Sequence, residues 1–161
     1  MWIRKLVIIA ALVFAAAPRT ARAEVGVGGF LGEPTGIGVK LDLASRSALD
    51  ILLGWYSHYD DYCCDGAYGH LTYLVTPLVS HGRSVLVPLR IGIGAAIFDD
   101  AGRFDQDLHL AARFPFQIGI RFRRSPVEIY GEIALKFTVI DPGPNHRTVD
   151  LDGGIGIRFY F

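Results

Sequence analysis

The sequence predicts an all-β protein: an eight-stranded, antiparallel, up-and-down transmembrane β-barrel preceded by a signal peptide. Three observations lead there. The closing stretch, residues 149–161 (VDLDGGIGIRFYF), alternates Val149, Leu151, Gly153, Ile155, Ile157 and Phe159 against Asp150, Asp152, Gly154, Gly156, Arg158 and Tyr160. A period of two over thirteen residues is a strand with one oily and one wet face. Seven further stretches share that period, joined by connections that alternate between short and long. The chain also opens with an export signal.

That signal is Met1-Trp2-Ile3-Arg4-Lys5, an apolar run over residues 6–17, and then Pro18-Arg19-Thr20-Ala21-Arg22-Ala23. A basic start, about a dozen apolar residues and small residues at Ala21 and Ala23 are the parts of a secretory signal peptide. The run is shorter than the ~20 residues that span a bilayer. Residues 1–23 are therefore expected to be removed, leaving 24–161 as one domain. Loss of Arg4, Lys5, Arg19 and Arg22 takes sixteen bases to twelve against sixteen acids, a formal charge of −4. No basic patch invites nucleic acid. Lys40 and Lys136 are the only lysines left, few for a solvated surface. No segment of 24–161 has eighteen consecutive apolar residues, yet mean hydropathy is positive. A transmembrane barrel resolves the two, because its apolar residues are dispersed at every second position.

The strands follow in order. The first, residues 24–31, sets Val25, Val27, Gly29 and Leu31 against Glu24, Gly26, Gly28 and Phe30; Gly32-Glu33-Pro34 turns it. The second, 35–43, sets Ile37, Val39, Leu41 and Leu43 against Gly36, Gly38, Lys40 and Asp42, with a turn at 44–47. The third, 48–57, sets Leu49, Ile51, Leu53 and Trp55 against Asp50, Leu52, Gly54 and Tyr56, and an irregular loop covers 58–67. The fourth, 68–79, sets Leu71, Tyr73, Val75 and Pro77 against His70, Thr72, Leu74 and Thr76; Ser80 to Arg83 turn the chain. The fifth, 84–97, sets Val85, Val87, Leu89, Ile91, Ile93, Ala95 and Ile97 against Leu86, Pro88, Arg90, Gly92 and Gly94, before a loop at 98–106. The sixth, 107–122, sets Leu108, Leu110, Ala112, Phe114, Phe116, Ile118, Ile120 and Phe122 against His109, Arg113, Gln117, Gly119 and Arg121, with a tight turn at 123–125. The seventh, 126–139, sets Val127, Ile129, Ile133, Leu135 and Phe137 against Glu128, Tyr130, Glu132 and Lys136. A loop at 141–147 leads to the closing strand.

With both termini on the periplasmic side, such a barrel has three short turns there and four outer loops. The count agrees, apart from a very short first outer loop. A soluble lipocalin-like barrel shares the period with its faces reversed. Glycines interleaved with large polar residues suit a narrow interior. The apolar face is nearly free of charge, which a bilayer would enforce at about 2–4 kcal/mol per mid-depth Arg or Lys. Its aromatics sit near strand ends: Trp55 and Phe137 at one, Phe122, Phe159 and Phe161 at the other. These favour the membrane arrangement. Pro77 and Pro88 flank the second short turn, where a lost ladder bond is tolerable. Pro115 lies inside strand six and is expected at a bulge.

Gly32-Glu33-Pro34-Thr35-Gly36, then Ala48-Leu49-Asp50 with Gly54-Trp55, and finally Asp152-Gly153-Gly154 in the closing strand carry a resemblance. Over essentially all of 24–161 the chain resembles the small OmpA-like eight-stranded outer-membrane barrels, most closely short barrels of uncharacterised function. Phe161, Phe159 and Ile157 resemble the C-terminal assembly signal of that class. The resemblance implies location in the bacterial outer membrane, contact with its lipid, and delivery by the barrel-assembly machinery. It carries over no catalytic residues and no cofactor.

The candidate site is the inward face. It gathers Glu24, Asp42, Asp50, Glu128, Glu132, Asp150 and Asp152 against Lys40, Arg90, Arg113, Arg121, Lys136 and Arg158. Isolated charges are costly in a lumen only wide enough for side chains, whereas paired ones are tolerable, so a plug of ion pairs is expected. Glu128 and Glu132 beside Arg113 and Arg121 are its expected centre. The alternative is a narrow passive pore for ions or small solutes, with selectivity set by the same charges.

In the loop over 58–65, Tyr59 and Tyr62, with Tyr56 and Tyr68 nearby, offer a contact surface for an extracellular ligand. Cys63 and Cys64 are adjacent, lack CxxC spacing and hold one metal ion poorly, so no metal site is expected. They could pair with each other in a strained ring, or between molecules. A lipid-modifying enzyme would need a Ser two positions from a His on one strand face. None of His58, His70, His81, His109 or His146 has one. The expectation is a non-enzymatic, monomeric barrel with a structural or surface-interaction role.

Overall fold

The structure, a computed structural model, describes residues 24–56, 66–99, 108–140 and 149–161. The expected signal peptide and the loop carrying Tyr59, Tyr62, Cys63 and Cys64 lie outside the described residues. Eight strands follow one another: β1 (Val25–Glu33), β2 (Thr35–Ala44), β3 (Ser47–Tyr56), β4 (Gly66–His81), β5 (Val85–Asp99), β6 (Leu108–Phe122), β7 (Val127–Ile140) and β8 (Val149–Tyr160). Each pairs antiparallel with its neighbours in the chain, and β1 pairs with β8, so the sheet closes into a barrel with no free edge. Both ends of the described chain meet at one rim, where the Val25 and Phe161 backbones bond to each other and Asp42 N–H donates to the Glu24 carbonyl at 3.0 Å.

Alternation sorts the faces as the sequence predicts. Outward residues such as Ile37, Leu53, Ile93, Ile133, Leu151 and Ile155 are exposed, while Lys40, Asp50, Arg90, Arg113, Glu128 and Arg158 are buried inside. Trp55, Phe122, Phe159 and Phe161 are exposed on the outer wall, and Phe114 meets Phe137 there edge-on, centroids 5.7 Å apart.

Three local expectations are corrected. The β1–β2 connection is tighter than a three-residue turn. β1 continues to Glu33 and β2 starts at Thr35, leaving Pro34 between them, after a cis Glu33–Pro34 peptide. Gly32 permits this. Its φ of 150° is open to glycine, and a Cβ there would stand 2.2 Å from the Gly153 carbonyl oxygen. The Thr35 hydroxyl donates to the Gly32 carbonyl at 2.9 Å and accepts from its N–H at 3.3 Å, clamping the turn.

In β4 the alternation does not run unbroken through Pro77. The register slips between Val75 and Leu78, which turns Leu78 outward and brings Val79 to the lining of the lumen mouth. A bulge at Pro77 dispenses with the ladder bond that proline cannot donate. Pro115, by contrast, occupies no bulge in β6: it pairs in register with Ala134 of β7. Its missing bond falls on the β5 side, where the pairing stops between Ile91↔Phe116 and Gly94↔Arg113. The proline ring fills the space over Gly92, 3.1 Å from where a Cβ of that residue would sit.

Candidate functional site: the charged lumen

All thirteen charged residues assigned to the inward face take part in ion pairs, and those pairs stack along the barrel. At the rim bearing the termini, Arg121 of β6 meets Glu24 at 2.6 Å, and Lys40 meets Asp42 within β2. The Arg121 guanidinium also lies 4.0 Å over the ring of Tyr160, whose face attracts a cation. One level deeper, Arg90 of β5 pairs with Glu128 of β7 at 2.6 Å, and the Tyr160 hydroxyl donates to the same carboxylate.

At mid-height Arg158 of β8 reaches Asp50 of β3 across the lumen at 2.6 Å, with its guanidinium 3.6 Å over Tyr130. Gln117 donates to Asp50 at 3.0 Å and also to Glu132. Glu132 in turn pairs with Arg113. The opposite end is held by Lys136, 3.2 Å from both Asp150 and Asp152. Its ammonium lies 4.3 Å over Tyr56 and 4.5 Å over Phe98, and the Tyr56 hydroxyl donates to Asp152. Arg113, Gln117, Glu128 and Arg158 are each at most 1 % exposed.

The four residues of the expected centre do not all meet one another. Arg113 and Glu132 do pair. Arg121 and Glu128 face each other in the β6–β7 register, yet Arg121 goes to Glu24 and Glu128 to Arg90, two strands away. Gly119 is the reason. Without a side chain it lets the Glu128 carboxylate pass over β6, and a Cβ there would sit 2.3 Å from Glu128 Oε1.

Several inward residues were left out of the expected lumen network because the sequence reading sought charge. Phe30, Leu52, Tyr56, Tyr68, Ala96 and Tyr130 form a buried apolar cluster toward the end away from the termini. Phe30 stacks on Tyr130 at 5.8 Å, and Tyr68 packs edge-on to Tyr56 at 4.9 Å. His109 stacks on Phe98 at 5.0 Å, and the Tyr68 hydroxyl lies 3.3 Å from His70 Nδ1. The signal was present: each shares the alternation that marks the inward charges of its own strand. Among the described residues, no three His, Cys, Asp or Glu side chains converge as metal ligands.

A closed eight-stranded barrel, polar within and apolar without, is the architecture of the OmpA-like barrels. The crystal structure of the N-terminal β-barrel domain of Pseudomonas aeruginosa OprF is similar to this chain, with a TM-score of 0.60 across 86% of this chain and 96% of that one. At 12% identity the likeness is one of fold. No protein-family model matches the sequence, and no curated protein does.

Proposed function

We propose that this protein is a monomeric barrel of the bacterial outer membrane, closed by its own ion pairs, with a structural or surface-interaction role in place of catalysis. The observation that carries the reading is the inside-out distribution of side chains. Thirty large apolar residues are exposed among the described ones, whereas fourteen polar or charged residues are buried. An aqueous monomer rarely exposes an apolar patch beyond a few hundred Å². Lipid makes that surface favourable, and barrel closure satisfies the backbone that lipid cannot. The match in fold to the OprF barrel domain supports the same placement.

The interior supports closure, because Arg113, Gln117 and Arg158 span the mid-level in one bonded network with Asp50 and Glu132. The partners that follow are outer-membrane lipid around the wall, the barrel-assembly machinery at the closing strand, and an extracellular ligand on the outer loops. A narrow passive pore is the second reading, favoured by the lumen mouth that opens at the terminus-bearing rim.

Single-channel recording of the folded protein in a planar bilayer tests the two, with a heat-dependent gel shift to verify folding. A folded, silent barrel supports the closed lumen. Discrete openings overturn it in favour of the pore. Folding in plain buffer and not in detergent overturns the membrane placement itself.

A further inference from the structure

At the rim bearing the termini the lumen widens into a vestibule of about 290 Å³. Four cations line it, Lys40, Arg46, Arg90 and Arg121, against two carboxylates, Glu24 and Asp42. The carboxylates are already engaged: Glu24 with Arg121, Asp42 with Lys40. Arg46 has no ion-pair partner among the described residues. Its backbone is nevertheless held, since Thr76 N–H donates to its carbonyl at 2.8 Å and ties the β2–β3 turn to β4. Arg90, 3 % exposed, spends one terminal nitrogen on Glu128 and leaves Nη1 without a hydrogen-bond partner. The hydroxyl-bearing residues Ser45, Ser47 and Thr76 complete the lining.

A surplus of cations, two guanidinium groups with donors to spare, and a set of hydroxyls match an oxyanion with several acceptor oxygens. The space exceeds that of a bare phosphate and suits a small ester. We propose that this vestibule binds a small phosphate-bearing anion, with Arg46 and Arg90 as the chief donors. The inference does not depend on whether the lumen conducts. Arg46 sits at the accessible lip and Arg90 at the floor, so the anion enters from the rim and stops at the Arg90–Glu128 pair. Phosphate chemistry can arrive as a soluble ester or as a lipid headgroup curling over the rim.

The test is amide chemical-shift titration of the purified folded protein in neutral maltoside micelles. One arm adds sn-glycerol 3-phosphate, with glycerol as control; a second dopes the micelles with phosphatidylglycerol against phosphatidylcholine. Saturable shifts confined to residues 44–47, 76 and 86–90 are expected with the phosphate probes and absent with glycerol. Saturation in the first arm alone identifies a soluble ester, and in the second alone a headgroup; either supports the site. Arg46→Glu, at an exposed turn where folding is unaffected, should weaken binding about tenfold or more, as loss and reversal of one charge-assisted contact requires. Shifts that never saturate in either arm, or an Arg46→Glu protein that binds as the parent does, overturn the proposal.

Discussion

Asp50→Ala probes the centre of the lumen. The Asp50 carboxylate, 3 % exposed, receives Arg158 at 2.6 Å and Gln117 at 3.0 Å. Gln117 keeps Glu132 as a second partner, so its loss is modest. Arg158 keeps the face of Tyr130 and the neighbouring charge of Glu128, which faces it in the β7–β8 register but is already paired with Arg90. At an effective dielectric of about 20, two charges at this separation attract by roughly 6 kcal/mol, most of which offsets their desolvation. Removing one partner strands the other, and breaking a buried pair in this way costs about 3–5 kcal/mol. Replacing both by apolar groups avoids that penalty. Asp50→Ala combined with Arg158→Met should therefore recover at least half of the single-variant loss.

Urea unfolding in lipid vesicles measures this, followed by fluorescence. Residues 24–161 contain Trp55 as their sole tryptophan, and it stands 48 % exposed on the apolar wall, where leaving lipid shifts its emission. A midpoint shift worth less than about 1 kcal/mol for Asp50→Ala would refute the reasoning. So would a double variant whose cost equals the sum of the two singles, because the pair would then have no coupling to lose.

Three further outcomes follow from the same structure. A Cβ at Gly28 would stand 1.7 Å from the Ile157 carbonyl oxygen, whereas at Gly29 the nearest atom is 3.9 Å away; Gly28→Ala should cost about 1–3 kcal/mol or prevent closure of the β1–β8 seam, and Gly29→Ala should be near neutral in the same titration. Phe30→Ala removes the ring stacked on Tyr130 and covering Gly154, and should cost about 3–5 kcal/mol as a lumen cavity. Phe161→Ala should lower the fraction of heat-shiftable barrel recovered from cell envelopes while leaving the unfolding midpoint of the folded fraction nearly unchanged, since this side chain is 83 % exposed.

Much of this protein follows from a period of two. Alternation is a local property of each strand, so the number of strands, their order and the inward face of residues such as Lys40, Arg113 and Arg158 were all readable along the chain. Closure followed too, because an eight-stranded antiparallel sheet with one apolar face has few other ways to end its edges. What alternation does not encode is height and reach inside the lumen. Those depend on strand tilt, on the stagger of neighbours and on the room left by small residues. Asp50 and Arg158 come from strands far apart in the closed sheet and meet across its axis. Glu128 bypasses its in-register neighbour Arg121 because Gly119 opens a path to Arg90. The bulge at Pro77 reverses the parity of β4 and turns Val79 into the vestibule, while Pro115 keeps its register by placing its lost bond opposite Gly92. Outside the Pro77 bulge, the sequence by itself determined which side chains would be enclosed; only the closed barrel decided which of them would touch, because partners across a lumen are set by three-dimensional stagger and free volume, and neither is written in the spacing along one strand.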